Sequence, residues 1–306
     1  VSTLERWSPG RAAAWLRRPS PEDHKYRRGV LAARTGSAQY PGAAVIGVSA
    51  AWRTGIGMVR YVPPLEDAPR DLPAPAAAVL VRHPETVLGA GRCDAWLLGS
   101  GTDPSTRTAA EEAAVVELLR SGTPAVVDAG ALDLVARVAG ETGPLILTPH
   151  LGEFERLHRG APLPDDGSPG GIARRGEAAV ALATELGAAV LLKGSVSICA
   201  GPDGRAIAHG PSTPWLATAG TGDVLAGILG ALVATHAERL RERPAALVEL
   251  GATAALLHDS AARIAASDPA GDGAGSPITA LDVVAALPRA FRAVSAAGTG
   301  AGATAG

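Results

Sequence analysis

Residues Gly176-Glu177-Ala178-Ala179-Val180-Ala181-Leu182-Ala183-Thr184-Glu185-Leu186 run through Gly187-Ala188 into Ala189-Val190-Leu191-Leu192, closed by Lys193-Gly194-Ser195. The first piece places apolar residues at helical spacing. The second is a short unbroken apolar run, the pattern of a strand buried on both faces of a parallel sheet. This helix–turn–strand unit recurs along the chain. Strands are expected at 29–33, 57–62, 78–82, 95–98, 125–127, 145–147, 189–192, 196–200 and 206–209, with helices such as 43–53, 106–120 and 176–186 between them. Such alternation predicts an α/β fold with a mostly parallel central sheet covered by helices on both faces. Gly201-Pro202-Asp203-Gly204 joins the last two strands into an edge hairpin. Beyond residue 210 the pattern is helical only, at 223–239, 245–266 and 279–293.

The 306 residues suffice for one large α/β domain. A helical or irregular lead-in is expected over 1–23, a single catalytic domain over 24–295, and a disordered Gly/Ala/Thr-rich tail over 296–306. Asp165-Asp166-Gly167-Ser168-Pro169-Gly170-Gly171 reads as a loop. Lys and Arg number 28 against 30 Asp and Glu, a balance that excludes a polyanion-binding surface. Aromatic content of 3% is too low for a base-stacking platform, so no nucleic-acid partner is expected. Cys93 and Cys199 show neither disulfide-framework nor zinc-knuckle spacing. No apolar run approaches the ~20 residues of a membrane helix, and the first 18 residues lack a secretory apolar core. A cytoplasmic location without membrane association is the expectation.

Three segments can carry chemistry. Gly220-Thr221-Gly222-Asp223 opens a long apolar helix. It is either a phosphoryl cradle made of helix-start amides or an acid-capped turn. An acid beside bound phosphate can also take a proton from an attacking hydroxyl, while the amides stabilise developing charge. Thr148-Pro149-His150-Leu151-Gly152-Glu153 follows a buried strand at the end where open sheets bind ligands. Its His150 and Glu153 either face one ligand or simply start a helix, and no third zinc ligand is evident. Lys193-Gly194-Ser195-Val196-Ser197 is a phosphate contact or a solvated strand end, and it lacks P-loop spacing. Gly99-Ser100-Gly101-Thr102-Asp103, Asp128 and Gln39-Tyr40-Pro41-Gly42-Ala43-Ala44 are weaker ligand-facing candidates, each also readable as turn or packing residues.

In this order, Thr-Pro-His-x-Gly-Glu, Leu-Lys-Gly-Ser, a hairpin and Ala-Gly-Thr-Gly-Asp-Val-Leu-Ala-Gly closely resemble the ADP-dependent NAD(P)H-hydrate dehydratases, a branch of the ribokinase-like superfamily. The resemblance extends from His24-Lys25 to the stretch beginning Thr279-Ala280-Leu281-Asp282. It implies a ribokinase-like fold and repair of a hydrated nicotinamide cofactor, with ADP as phosphoryl donor and Mg²⁺ as cofactor. By resemblance Asp223 is the base, and Gly220, Thr221 and Gly222 form the anion hole. Lys193, Gly194, Ser195, Val196 and Ser197, with Gly222, would hold the AMP part of the donor. Ala43, Gly101 and His150, with Asp223, would contact the hydrated nicotinamide nucleotide. Glu153 matches an acid that holds Mg²⁺ through water. The chain departs from the family at Ala33-Arg34-Thr35-Gly36, where a Gly-Gly pair is usual, and at Pro41-Gly42-Ala43-Ala44, where Thr-Gly-Ala-Ala is usual. Both bear on substrate fit. His150-Leu151-Gly152-Glu153 and Ala219-Gly220-Thr221-Gly222-Asp223 also differ, yet they keep the reactive groups. A homo-oligomer, in related enzymes often a tetramer, and a separate epimerase polypeptide are further implications.

Two other readings stand beside this one. The same motifs fit a ribokinase-like kinase of a hydroxymethylpyrimidine, thiazole or pyridoxal type, although such kinases more often carry Asn at the position of His150. A nucleotide-binding protein without turnover is the other. An NAD-dependent dehydrogenase is disfavoured, because no Gly-x-Gly-x-x-Gly follows the first strand.

Overall fold

The computed structural model describes residues 4–65, 73–164 and 167–300, with side chains through 298. Its strands are β1 (Glu5–Arg6), β2 (Val30–Arg34), β3 (Met58–Tyr61), β4 (Val87–Leu88), β5 (Ala95–Leu98), β6 (Ala125–Val127), β7 (Leu145–Leu147), β8 (Ala189–Leu192), β9 (Ser197–Ala200) and β10 (Ala206–His209). They form one sheet in the order β1-β10-β9-β8-β7-β6-β5-β2-β3-β4. Pairing is parallel from β8 through β4, and antiparallel where β9 joins β8 and β10. The strands read as continuous apolar runs because alternate residues feed two cores. Leu31, Leu97, Val126, Ile146 and Leu191 enter one core, while Ala32, Leu98, Val127, Leu147 and Leu192 enter the other.

The first core is covered by α1 (Pro9–Ala13), α2 (Pro41–Thr54) and α3 (Ala74–Arg82) from the first third of the chain. The second lies under α4 (Ala109–Arg120), α5 (Leu151–His158) and α6 (Pro169–Leu186). Helices α7 (Thr221–Thr235), α8 (Ala237–Glu242), α9 (Leu247–Ala266) and α10 (Ala280–Gly300) complete the first side. Helices α2 and α7 cross at Gly47 and Gly227, where a Cβ on Gly227 would lie 2.2 Å from the Gly47 carbonyl oxygen. That contact sets how close the start of α7 sits to α2. No helix of the described residues is long and apolar enough to cross a membrane.

The structure corrects several expected elements. Residues 78–82 are helix α3, not strand: Pro75 is tolerated in the first turn, and burial of Ala76 and Val79 with Val81 89% exposed is helical spacing. The helix expected over 223–239 stops at Thr235, where His236 turns its ring to the Trp15 carbonyl, and α8 follows. Ser168 caps α6, so Pro169, Gly170 and Gly171 are helical, while Asp165 and Asp166 fall outside the described residues. Within the expected lead-in, residues 4–23 hold strand β1 as well as helix α1. β1 pairs with β10 outside the hairpin, and Trp7 donates its indole N–H to Thr253 Oγ1 at 3.0 Å. The tail expected from 296 is helical through Gly300, and 301–306 fall outside the described residues.

Replacing Gly227 with Ala should destabilise the fold by about 1–3 kcal/mol, the usual range for overpacking. Urea denaturation would show a lowered midpoint with an unchanged slope.

Candidate active site

The functional side chains gather at the carboxyl ends of the central strands. Asp128 follows β6 and is 3% exposed. Its carboxylate accepts hydrogen bonds from Ser100 Oγ at 2.8 Å, Thr148 Oγ1 at 2.7 Å and Lys193 Nζ at 2.8 Å. These donors stand at the ends of β5, β7 and β8, so one acid ties four strands together. Burial pushes the Asp128 carboxyl up, but the Lys193 charge and the three donors outweigh it and hold it below the usual carboxylate range. Burial likewise opposes the Lys193 ammonium, while Asp128, Glu153 and Asp223 together raise its pKa above the ordinary lysine value. The lysine is therefore a fixed cation. Its main-chain N–H donates to the Pro149 carbonyl at 2.8 Å, locking β8 to the segment that presents His150.

Glycine geometry places the next groups. Gly99 has φ +94°, and a Cβ there would lie 2.2 Å from the Asp128 carbonyl oxygen. Gly101, at φ +68°, packs so closely on α2 that a Cβ would meet Ala43 Cβ at 2.3 Å. Ala43 and Gly101 are thus in direct contact. His150 caps α5: its Nδ1 accepts from the amides of Gly152 (3.1 Å) and Glu153 (3.3 Å), so the neutral ring carries its proton on Nε2. Glu153 Oε2 accepts from the His150 amide at 2.8 Å and lies 3.9 Å from Lys193 Nζ. Both residues do serve the helix start, and they stand beside the lysine as well.

Asp223 lies in the first turn of α7. Gly220 adopts φ +86° there, and the Thr221 amide donates to the Thr218 carbonyl at 3.3 Å. Thr221 Oγ1 donates within the same turn, to the carbonyls of Leu216 and Thr218. The Gly220, Gly222 and Asp223 amides have no acceptor among the described residues, so the open donors are shifted from those expected, with Thr221 engaged and Asp223 added. A Cβ on Gly222 would sit 3.7 Å from Lys193 Nζ, placing the cation directly under these amides. Burial, reinforced by the Asp128 charge and only partly offset by Lys193, pushes the Asp223 carboxyl up to about 7.

A cavity of about 390 Å³ opens from this point, bounded by Lys193, Gly194, Ser195, Ser197, Gly222 and His258. The Val196 side chain instead packs against the second core. Asp128 was visible in the sequence only as a strand-end acid. The signal that could have found its role is that Ser100, Thr148 and Lys193 are polar residues just beyond three neighbouring apolar strands. Arg34, at a position where the resemblance implies glycine, makes a two-pronged ion pair with buried Glu111, one arm being 2.9 Å. Glu111 also accepts from the Leu65 amide at 2.7 Å. Among the described residues no cluster of three His, Cys, Asp or Glu could hold a metal directly.

The chain is similar to known proteins along most of its length. A family model described as NAD(P)H-hydrate dehydratase matches residues 33–278. The chain is 41% identical over 226 residues to the bifunctional NAD(P)H-hydrate repair enzyme Nnr of Mycobacterium tuberculosis, covering 71% of this chain and 43% of that one. It therefore spans less than half of that relative. It is 33% identical over 235 residues to the ADP-dependent (S)-NAD(P)H-hydrate dehydratase of Xanthomonas campestris pv. campestris, covering 72% and 78% of the two chains. The ADP/ATP-dependent NAD(P)H-hydrate dehydratase of Bacillus subtilis, co-crystallised with ATP and Mg²⁺, superposes with a TM-score of 0.75 at 25% identity, covering 96% of this chain and all of that one. The fold is ribokinase-like.

Asp223 is more basic folded than unfolded, so it favours the fold fully only at low pH, and this contribution is lost as pH rises to about 7. Asp223→Asn should therefore stabilise the protein, by little near pH 4 and by on the order of 4 kcal/mol above pH 7. Denaturation midpoints of both proteins at pH 5, 6 and 8 measure this widening gap.

Proposed function

This chain belongs to the NAD(P)H-hydrate dehydratase family, and from that membership we propose that it dehydrates the S form of NAD(P)H hydrate to NAD(P)H, converting ADP to AMP and phosphate. The observation that carries the proposal is the convergence at the head of α7. A carboxyl raised to about 7 and three open amides stand in one helix start, whose Gly222 lines the same cavity as the fixed ammonium of Lys193.

Asp223 takes the proton of the substrate hydroxyl as its oxygen attacks the β-phosphorus of ADP. The new O–P bond forms while the bond from that phosphorus to the bridging oxygen breaks, and AMP leaves with the electron pair. Hydroxide is a poor leaving group and phosphate a good one. Phosphate then departs from its ring carbon, the neighbouring carbon gives a proton to water, and the electron pair of that C–H bond restores the double bond. The Gly220, Gly222 and Asp223 amides and Lys193 face the charge that builds on the transferred phosphoryl group. Lys193 to Ser197 hold the AMP part, and Ala43, Gly101 and His150 position the hydrated ring.

Glu153 fits magnesium held through water: it is one carboxylate beside Lys193 in a site without a direct ligand set, and magnesium keeps its waters. When bound, the ion would neutralise diphosphate charge.

Incubation with the S hydrate of NADH or NADPH, ADP and Mg²⁺ should restore reduced-nicotinamide absorbance and release AMP and phosphate in equal amounts. Accumulation of a stable phosphorylated product would instead mark a simple kinase. Because the base must be ionised, kcat/KM should fall about tenfold per unit below pH 7. Asp223→Asn should lower kcat by roughly 10² to 10⁴ and still bind AMP.

A further inference from the structure

A second cavity, of about 280 Å³, opens where α4 meets the loops that follow β2, β3 and β5. It shares no lining residue with the cavity at Lys193. Helix α2 connects it to the head of α7. A Cβ on Gly47 would lie 3.7 Å from the Asp223 carbonyl oxygen, and Ala43 stands one turn earlier in α2. That is about 6 Å along the helix axis. Ala43 in turn touches Gly101. Gln39, just before α2, and Asp103, two residues beyond Gly101, both line the cavity. A molecule whose ring rests at Ala43 and Gly101 therefore has this cavity beside it.

Three charged side chains line the cavity. Glu111 is committed to Arg34 and to the Leu65 amide. Arg107 is committed to Asp133 and the Gly130 carbonyl, with Glu112 3.5 Å away. Asp103 alone keeps a free oxygen. Its Oδ1 accepts from the Ser105 amide and hydroxyl, each at 2.8 Å. Its Oδ2 has no partner among the described residues and is open to solvent. The Ser105 amide, and then its hydroxyl, hold this carboxyl below its usual range, so it is ionised at neutral pH.

An uncommitted carboxylate without an uncommitted cation gives the cavity a chemical preference. Such an oxygen accepts hydrogen bonds from the hydroxyls of a sugar and repels a phosphate. Pro64 and Leu65, the latter 48% exposed, offer apolar surface to a flat base. The volume lies just below the range of pockets that take a whole small ligand, which suits one half of a dinucleotide. We propose that this cavity receives the adenosine half of the hydrated dinucleotide, where Asp103 accepts from the ribose hydroxyls and selects NADH hydrate over NADPH hydrate. The extra phosphate of NADPH sits on that ribose. The inference rests on the substrate half of the proposed function.

Two measurements on the wild type, Asp103→Asn and Asp103→Lys test it: kcat/KM for the S hydrates of NADH and NADPH at saturating ADP, and calorimetric affinities for NADH and NADPH. The wild type should favour NADH hydrate about tenfold, through KM and not kcat. High salt should shrink that preference by screening the repelled phosphate. Asp103→Asn, which keeps an oxygen for the Ser105 turn, should bring the ratio to about one. Asp103→Lys should favour NADPH hydrate. Equal wild-type use of the two hydrates, or a preference for NADPH hydrate, overturns the proposal. So does a wild-type ratio retained in Asp103→Asn, the result of a merely structural turn. If Asp103→Lys fails to fold, the Asn variant decides. If neither hydrate turns over, the proposed function falls, and the relative affinities for NADH and NADPH still decide the role of Asp103.

Discussion

The ion pair between Lys193 and Asp128 is the constraint on which the rest of this site depends. Removing both charges from water is costly, and their attraction offsets that cost only when the remaining hydrogen-bonding capacity is filled. Here Ser100 and Thr148 fill it on the acid, and Glu153 and Asp223 add negative charge around the lysine. The pair has two electrostatic effects. It keeps a cation beneath the open amides of α7, and it leaves a buried negative charge near Asp223 that helps to make this carboxyl basic. Without Asp128, Asp223 would be a weaker base beside a less well held lysine.

Much of this was legible in the sequence for a simple reason. β5, β6, β7, β8 and β10 occupy the expected residues because buried parallel strands are unbroken apolar runs ended by Gly, Asp, Thr-Pro or Lys. The segments around His150, Lys193 and Asp223 could be placed at strand or helix ends, since the residues that stop an element also face ligands. What stayed hidden depends on pairing distant in sequence. Asp128 and Lys193 are 65 residues apart, and only the order β6-β7-β8 makes them neighbours. The break at His236 depends on Trp15, 221 residues away. For 78–82, a short apolar run carries no period of its own, and only one-sided burial reveals a helix.

Arg34 shows how a charge at a strand end is accommodated. It ends β2 almost fully buried, so its guanidinium needs a partner. Glu111 on α4 supplies one and also fastens the Leu65 amide. The arginine at one strand end thereby becomes, through Glu111, a strut for the neighbouring loop.

The sheet's two outer strands, β1 and β4, are each two residues long. An incoming polypeptide would find a ladder of only a few hydrogen bonds at either border, too short to template growth by strand addition. Ten twisted strands rich in Val, Ile and Leu are otherwise the raw material of amyloid-like stacking. Brevity at both borders, joined at β1 by the charged pair Glu5 and Arg6, is what insulates this sheet from polymerising.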